Sequence, residues 1–269
     1  MHATGTPDWI TELTAEPAAL VPGDAWALSW DGAHEGVVVI AQVHDDFVLG
    51  IPLTHGEASS TEIPAVLGEV AVTLWPQAET GLGTFLLHRR LGRVLGDAQL
   101  REMRRWAAGR GELETLVPGS GAANVDDLMR LLQDYQRRCF IEWPSETEVT
   151  IDVNATGMTP RQFRDATGLD TERVVDLWDG HLLTAEEREL VDASWTTHAS
   201  TIPTRELSSP DVKLLVVELC EAAGTSEREA RNAARSAYAL AARTDSVSER
   251  ASTRAADTLR LLIQDAHAS

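Results

Sequence analysis

Four histidines lie between residues 34 and 88, and histidine is the side chain best suited to move protons near neutral pH. Two of them, His34 and His55, could act as base and acid in general acid–base catalysis, with His44 and His88 also nearby in sequence. The alternative is that all four are ordinary loop histidines. Paired spacings of the HxH or HExxH type are missing, so the sequence predicts neither a metal site nor a cofactor.

Positive charge is concentrated in one short stretch. Residues 1–88 contain 12 acidic residues and no lysine or arginine. The arginines that follow are the only plausible anion platform. If those of the predicted closing helix face away from its apolar stripe, they line one side of it and could bind RNA or an acidic partner helix. Alternatively, they belong to a solvated face and pair with nearby acids. These arginines are Arg89, Arg90, Arg93, Arg101, Arg104, Arg105 and Arg110.

The overall composition excludes several classes of protein. The chain has 269 residues and a net charge of −19, which excludes a generic nucleic-acid coat. No apolar run approaches the roughly 18 residues of a membrane helix, and the first 20 residues lack the pattern of a secretion signal. Cys139 and Cys220 have no CxxC partner. We therefore expect a cytoplasmic protein with reduced thiols and no membrane association.

Residues 25–88 predict a small β-barrel of about five short strands. Trp26, Leu28 and Trp30 alternate with small or polar residues, as a half-buried strand requires. Glycine and proline separate this strand from further ones at residues 37–43, 47–53, 70–75 and 84–87. A helix with Asp97 as its N-cap closes a predicted domain of residues 1–117.

After a Gly- and Ser-rich linker at residues 118–123, the sequence predicts an all-α region from 124 to 269. The last helices span residues 208–267, the final one being residues 248–266. The predicted fold class is therefore α+β, a small barrel followed by helices. Helix starts are predicted at the capping residues Asn124, Thr159, Thr184, Ser209 and Ser226.

Four motifs of the barrel segment occur in a characteristic order: residues 22–26 (PGDAW), 36–40 (GVVVI), 51–54 (IPLT), and Gln77 followed by 88–95 (HRRLGRVL). In this order and spacing, residues 20–109 resemble the MazF/PemK toxin family. The resemblance implies an SH3-like barrel, shared with CcdB-type gyrase poisons, and often a homodimer. It also implies metal-free cleavage of RNA, in which a ribose 2′-hydroxyl attacks the adjacent phosphate.

The resemblance implies two catalytic positions. Thr54 matches the family's Thr or Ser after the third strand, whereas Glu35 stands at or beside the position of the family's arginine. A carboxylate there would repel the negative charge that builds on the phosphate and so raise the barrier to cleavage. His34 and His55 flank the two positions and could replace the missing group, which makes Thr54, His34 and His55 the candidate catalytic residues.

A second resemblance covers residues 159–190. Residues 161–169 (RQFRDATGL) and the following helical segment are similar to an XRE or Cro-type helix-turn-helix. Ala166 would permit close helix approach and Gly168 would permit the turn. The small core is predicted from Phe163, Leu169, Val174, Val175 and Leu177. Contacts to DNA phosphates would come from Arg161, Arg164 and Arg173. Because Arg173 is the only cation between Asp170 and Gly180, the alternative is that the segment serves as a packing or protein-contact module.

The leading hypothesis is a toxin–antitoxin-type bacterial protein that binds a partner protein, a second copy or DNA, with nuclease activity reduced or lost. One alternative is an active endoribonuclease whose helical half inhibits or targets it. Another is an acidic structural or interaction protein, which the net charge alone favours.

Overall fold

A computed structural model describes residues 5–11, 13, 19–123, 125–141, 143, 149–198, 202–244 and 251–268. The fold is α+β, with a curled antiparallel sheet in the N-terminal part and helices after it. The chain divides into two compact units. The first comprises Met1–Ile141 and Ser208–Leu214, and the second comprises Glu142–Leu207 and Leu215–Ser269.

Seven strands form the sheet of the first unit. They are β1 (Asp24–Trp30), β2 (Ala33–Val43), β3 (Phe47–His55), β4 (Ile63–Leu67), β5 (Val70–Leu74), β6 (Thr80–Gly83) and β7 (Leu87–Arg93). Their order in the sheet is β4-β5-β3-β2-β1-β7, with β6 also paired to β3. The middle strand β3 pairs with β2 and β6 along its first part and with β5 near its end, so the sheet bends there into a half-barrel.

Local sequence explains the first hairpin. Asp31 and Gly32 connect β1 to β2 with φ values of 47° and 71°. A two-residue hairpin turn of type I′ needs positive φ at both central positions, and Asp-Gly is among the pairs that adopt it most readily. The paired residues on either side are Trp30 and Ala33.

One apolar core lies inside the curled sheet. Val39 and Ile51 from neighbouring strands pack with Leu100 and Met103 of α2 (Asp97–Ala107) and with Ile10 of α1 (Asp8–Thr11). All five are at most 5% exposed, so removal of apolar surface from water is the main stabilising contribution here. The helix thus closes the sheet unit, although its N-cap is the residue before the predicted Asp97.

Most predicted strands are confirmed, but the sequence pattern missed β4 and β6. The predicted strand at residues 84–87 is wrong in its position, because Thr84–Leu86 form a 3-10 turn and the strand continues as β7. This strand contains three arginines and was not recognisable by apolar alternation. Its pairing with β1 holds it in the sheet.

The predicted linker at residues 118–123 lies within the first unit and packs along residues 58–62. The N–H of Gly119 donates to the carbonyl of Glu62 at 3.0 Å, and the N–H of Ser60 donates to that of Gly121 at 2.9 Å. A Cβ on Gly119 would lie 2.0 Å from the carbonyl oxygen of Ala58. The following helix α3 (Val125–Cys139) also belongs to this unit rather than to the helical region.

The second unit combines helices with one pair of very short strands, so the prediction of an all-α region is wrong. Val149–Ile151 and Thr196–His198 pair antiparallel, and three residues are too few to show a strand periodicity. These two strands are β8 (Val149–Ile151) and β9 (Thr196–His198). The α-helices are α4 (Val153–Thr156), α5 (Pro160–Thr167), α6 (Thr171–Trp178), α7 (Ala185–Leu190), α8 (Ile202–Leu207), α9 (Lys213–Ala223), α10 (Glu227–Thr244) and α11 (Ala251–Ala268). Helix α9 starts in the first unit.

The predicted caps at Thr159, Thr184 and Ser226 are confirmed, because each side chain accepts the N–H of the residue three positions later. Ser209 caps a 3-10 turn that leads into α9. The predicted cap at Asn124 and the first residues of the predicted last helix, 248–250, lie outside the described residues.

The single lysine of the sequence fastens the segment Ser208–Leu214 to the first unit. Lys213 is fully buried, and its ammonium group donates to the carbonyls of Ser29 at 2.8 Å and Phe85 at 3.1 Å. It also lies 5.7 Å from the ring centroid of Trp30, within the range of a cation–π interaction. A buried cation is tolerated only with such partners.

Replacing Lys213 with Met is expected to lower the free energy of unfolding by about 2–4 kcal/mol, because two buried carbonyls lose their donor. Urea unfolding of the whole chain measures this loss. Leu214→Ala changes the next, half-exposed side chain and serves as the control, with an expected change within about 0.5 kcal/mol. Equal stability of the Lys213 variant and the wild type would contradict the assigned role.

Candidate functional site

Thr54 lies near the end of β3, where it pairs with Thr73 of β5. Its hydroxyl oxygen accepts the indole N–H of Trp75 at 2.8 Å, and its side chain is partly exposed. The hydroxyl of Thr73 donates to the carbonyl of Gly56 at 2.8 Å and so fixes the turn that follows β3. The candidate catalytic hydroxyl is therefore oriented by neighbouring side chains and reachable from solvent.

Glu35, near the start of β2, is paired with a guanidinium from α3. The Nε of Arg138 lies 3.3 Å from a carboxylate oxygen of Glu35, and the two side chains are 12% and 19% exposed. This partial burial reduces the screening of the pair by water. The position therefore carries no uncompensated charge of either sign.

The same helix covers the start of β2. The hydroxyl of Tyr135 donates to the carbonyl of Val37 at 2.7 Å, and the guanidinium of Arg138 stacks 4.5 Å from the Tyr135 ring centroid. Gly36 has a φ of +119°, and a Cβ there would lie 2.8 Å from the Tyr135 hydroxyl oxygen. Glycine at this position thus permits both the backbone conformation and the close approach of α3.

Burial shifts the proton affinities beneath α3. Burial lowers the pKa of His34 to about 4, with smaller contributions from the positive charges of Arg138 and Arg89. Burial also raises the pKa of Tyr135 to about 12. At neutral pH the imidazole of His34 is therefore uncharged, so it can accept a proton but cannot serve as a general acid.

The three candidate catalytic residues are not joined by hydrogen bonds. In the part of the chain that the structure describes, neither His34 nor His55 hydrogen-bonds to Thr54, whose hydroxyl contacts Trp75 instead. His55 is exposed and lies beside the ring of Trp9, with 6.2 Å between the ring centroids. Neither histidine is therefore bonded to the Thr54 hydroxyl in the described part of the chain, and the catalytic roles of the three residues stay a prediction.

Sequence reasoning did not single out Tyr135, Arg138 or Trp75 as site residues. For Tyr135, the sequence predicts only that it lies in the helix that starts at Asn124. Its bond to Val37 joins residues 98 positions apart in sequence, a distance that no local pattern spans. Trp75 ended a predicted strand, and nothing in the sequence paired its indole with Thr54.

The arginines predicted to bind anions divide into engaged and exposed groups. Arg89 donates to the carbonyl of Ile10, and burial lowers its pKa. The other engaged side chains each have a carboxylate partner: Arg90 with Asp24 at 2.6 Å, Arg93 with Asp97 at 2.7 Å, and Arg104 with Glu79 at 2.8 Å. Arg101 and Arg105 are exposed.

In the second unit, α5 and α6 are joined by a turn at Gly168, which has a φ of 75°. Phe163, Val174 and Leu177 form the buried core with Leu169 packed against it, as predicted. The prediction is wrong for Val175, which is 49% exposed because it lies on the outer side of α6. Ala166 is also exposed, so it does not mediate a close helix approach.

Arg173 is used within the fold. Its guanidinium makes two hydrogen bonds to the carboxylate of Glu187, at 2.6 and 2.8 Å, and a third to the carbonyl of Leu182 at 2.6 Å. The hydrogen bond to Glu187 raises the pKa of Arg173, and the same bond lowers that of Glu187. Arg164 pairs with Asp165 at 2.8 Å, whereas Arg161 is exposed.

Two further properties concern metals and membranes. Within the described ranges, no group of three or more histidine, cysteine or acidic side chains is arranged to hold a metal ion. Nor does any helix in those ranges combine the length and apolar character needed to cross a bilayer.

No protein-family model matches the chain, and no curated protein matches it either.

His34 is expected to titrate near pH 4 in the folded protein, and nuclear magnetic resonance of its imidazole measures this midpoint. Because this pKa lies below the usual value of 6.5, the folded state binds fewer protons than the unfolded state at pH values between about 4 and 6.5. Stability should therefore decrease as the pH falls from about 6.5 to about 4.

Arg138→Met should raise the midpoint of His34, because the variant lacks one of the positive charges that disfavour protonation. Arg137→Met removes an exposed charge from the neighbouring position and should leave the midpoint unchanged. A wild-type midpoint near 6.5 would show that His34 is not buried as described. Equal midpoints in the two variants would show that the charge of Arg138 does not act on His34.

Proposed function

We propose that this chain is a toxin–antitoxin-type bacterial protein that acts by binding and has reduced or lost nuclease activity. In this proposal, its curled sheet is a MazF-like barrel, and residues 159–190 are a helix-turn-helix module. The observation that carries the proposal is the pairing of Glu35 with Arg138 under the cover of α3.

The electrostatics of phosphate transesterification support the loss of activity. Attack of a 2′-hydroxyl places additional negative charge on the phosphate, and a cation at that point lowers the barrier. Here the guanidinium of Arg138 is already neutralised by Glu35, and their pair offers no net charge to the transition state. Tyr135 further covers the backbone at Gly36 and Val37, the two residues that follow Glu35.

Of the possible binding partners, a protein is better supported than DNA. The second helix of the proposed helix-turn-helix, α6, carries acidic residues, and its one cation Arg173 is held by Glu187. A helix that reads base edges needs free donors in the major groove. A helix pair with an exposed Val175, whose cations Arg164 and Arg173 are paired with carboxylates, is better suited to contact a protein surface.

An active endoribonuclease is the second candidate, and the geometry at Thr54 favours it. The hydroxyl is oriented by the indole of Trp75 and partly exposed, so a substrate can reach it. In that case α3 would cover a functional site and would have to move before RNA enters.

Incubation with a long RNA of mixed sequence distinguishes these two functions. With a chelator present, the purified full-length chain is expected to leave the RNA intact, as should Thr54→Ala. Arg138→Ala tests whether α3 conceals activity, because that variant frees Glu35 and weakens the cover. Cleavage by the wild type or by Arg138→Ala that disappears when Thr54 is also replaced would overturn the binding proposal.

Replacement of Arg173 tests whether this side chain stabilises the fold of the second unit. Arg173→Gln is expected to reduce the free energy of unfolding by about 1–3 kcal/mol, because the buried Glu187 loses its main partner. Arg161→Gln removes an exposed charge and should change it by no more than about 0.5 kcal/mol.

Gel shifts with the DNA upstream of its own coding region address the DNA alternative. No shift is expected, for the wild type or for Arg161→Gln. A shift that Arg161→Gln weakens would instead establish DNA binding by this module.

A further inference from the structure

The C-terminal end of α2 borders a cleft of about 430 Å³, which we name the arginine cleft. It lies in the first unit, against the 3-10 turn Pro76–Ala78. Three arginines, one carboxylate and one amide contribute its polar groups, and they are Arg104, Arg105, Arg110, Glu79 and Gln77.

The way α2 ends brings two of these arginines together. Gly109 adopts a left-handed conformation with a φ of 67°, and its N–H donates to the carbonyl of Trp106 at 2.9 Å. The N–H of Arg110 then donates to the carbonyl of Arg105 at 2.8 Å. This pair of bonds is a Schellman motif, which turns the chain back over the last helical turn. Arg110 is thereby held beside Arg105 at the cleft.

The charges of the cleft are only partly balanced. Arg104 is fixed by Glu79, which receives its Nε and Nη2 hydrogens, both at 2.8 Å. Arg105 and Arg110 are exposed and form no ion pair with any residue in the described part of the chain. Three guanidinium groups and one carboxylate leave a local charge of about +2, in a chain whose net charge is −19.

We propose that the arginine cleft binds the phosphate group of a small phosphate ester. Guanidinium groups bind phosphate oxygens through paired hydrogen bonds, and Arg105 and Arg110 have their donors free for this purpose. The volume falls within the 300–1,000 Å³ of typical small-molecule sites, so the cleft has room for a phosphate and the group esterified to it. This site goes beyond the proposed function, because neither Glu35 nor α3 lines it.

Calorimetric titration of the full-length chain with inorganic phosphate, adenosine monophosphate and adenosine tests the site. Phosphate and the monophosphate are expected to bind, and adenosine is not. The double variant Arg105→Gln, Arg110→Gln should weaken binding of the monophosphate at least tenfold. Because both side chains are exposed, the variant should keep the circular dichroism spectrum of the wild type.

Arg101→Gln provides a matched control, since Arg101 is an exposed arginine of the same helix that does not line the cleft. It should change the affinity less than twofold. Short RNAs with and without a 5′-phosphate, used as competitors, distinguish a terminal phosphate from the RNA backbone as the natural source. Failure of both phosphate and the monophosphate to bind, or equal affinity of the wild type and the double variant, would overturn the proposal, whatever the result with long RNA.

Discussion

The docking of α3 onto the start of β2 determines the properties of the candidate site. It depends on one position without a side chain, Gly36, beside which the Tyr135 hydroxyl binds the backbone and Arg138 reaches Glu35. The uncharged state of His34 follows from the same burial and from the approaching guanidinium. A larger residue at position 36 would displace the helix, and the charge balance of the whole surface would change with it.

A second feature of the molecule is the use of its scarce cations as internal connections. Lys213 does this in the first unit and Arg173 in the second. The second unit also contains Arg231, which is fully buried, paired with Glu227 at 2.8 Å and 5.4 Å from the ring centroid of Trp143. In an acidic chain, each buried guanidinium or ammonium needs carboxylates or carbonyls around it. The arginine cleft differs from these sites, because Arg105 and Arg110 are exposed and form no ion pair with the described residues.

The two short helices α5 and α6 show how far a sequence pattern extends into packing. Phe163, Val174 and Leu177 were identified as core residues because helical spacing places them on one face. Val175 was misplaced, since an apolar residue next to a core position looks like core in the sequence although it lies about 100° around the helix. Other core residues of this unit come from distant segments, including Ile151 and Val191.

The sequence by itself determined the elements whose causes are local. Alternation identified the main strands of the sheet, and capping residues such as Thr159 and Thr184 marked helix starts, because these interactions join residues at most a few positions apart. Tertiary structure decided which carboxylate each arginine meets, that α3 belongs with the sheet, and that β8 pairs with β9. Such contacts join residues far apart in sequence, and only the folded chain brings their side chains within bonding distance.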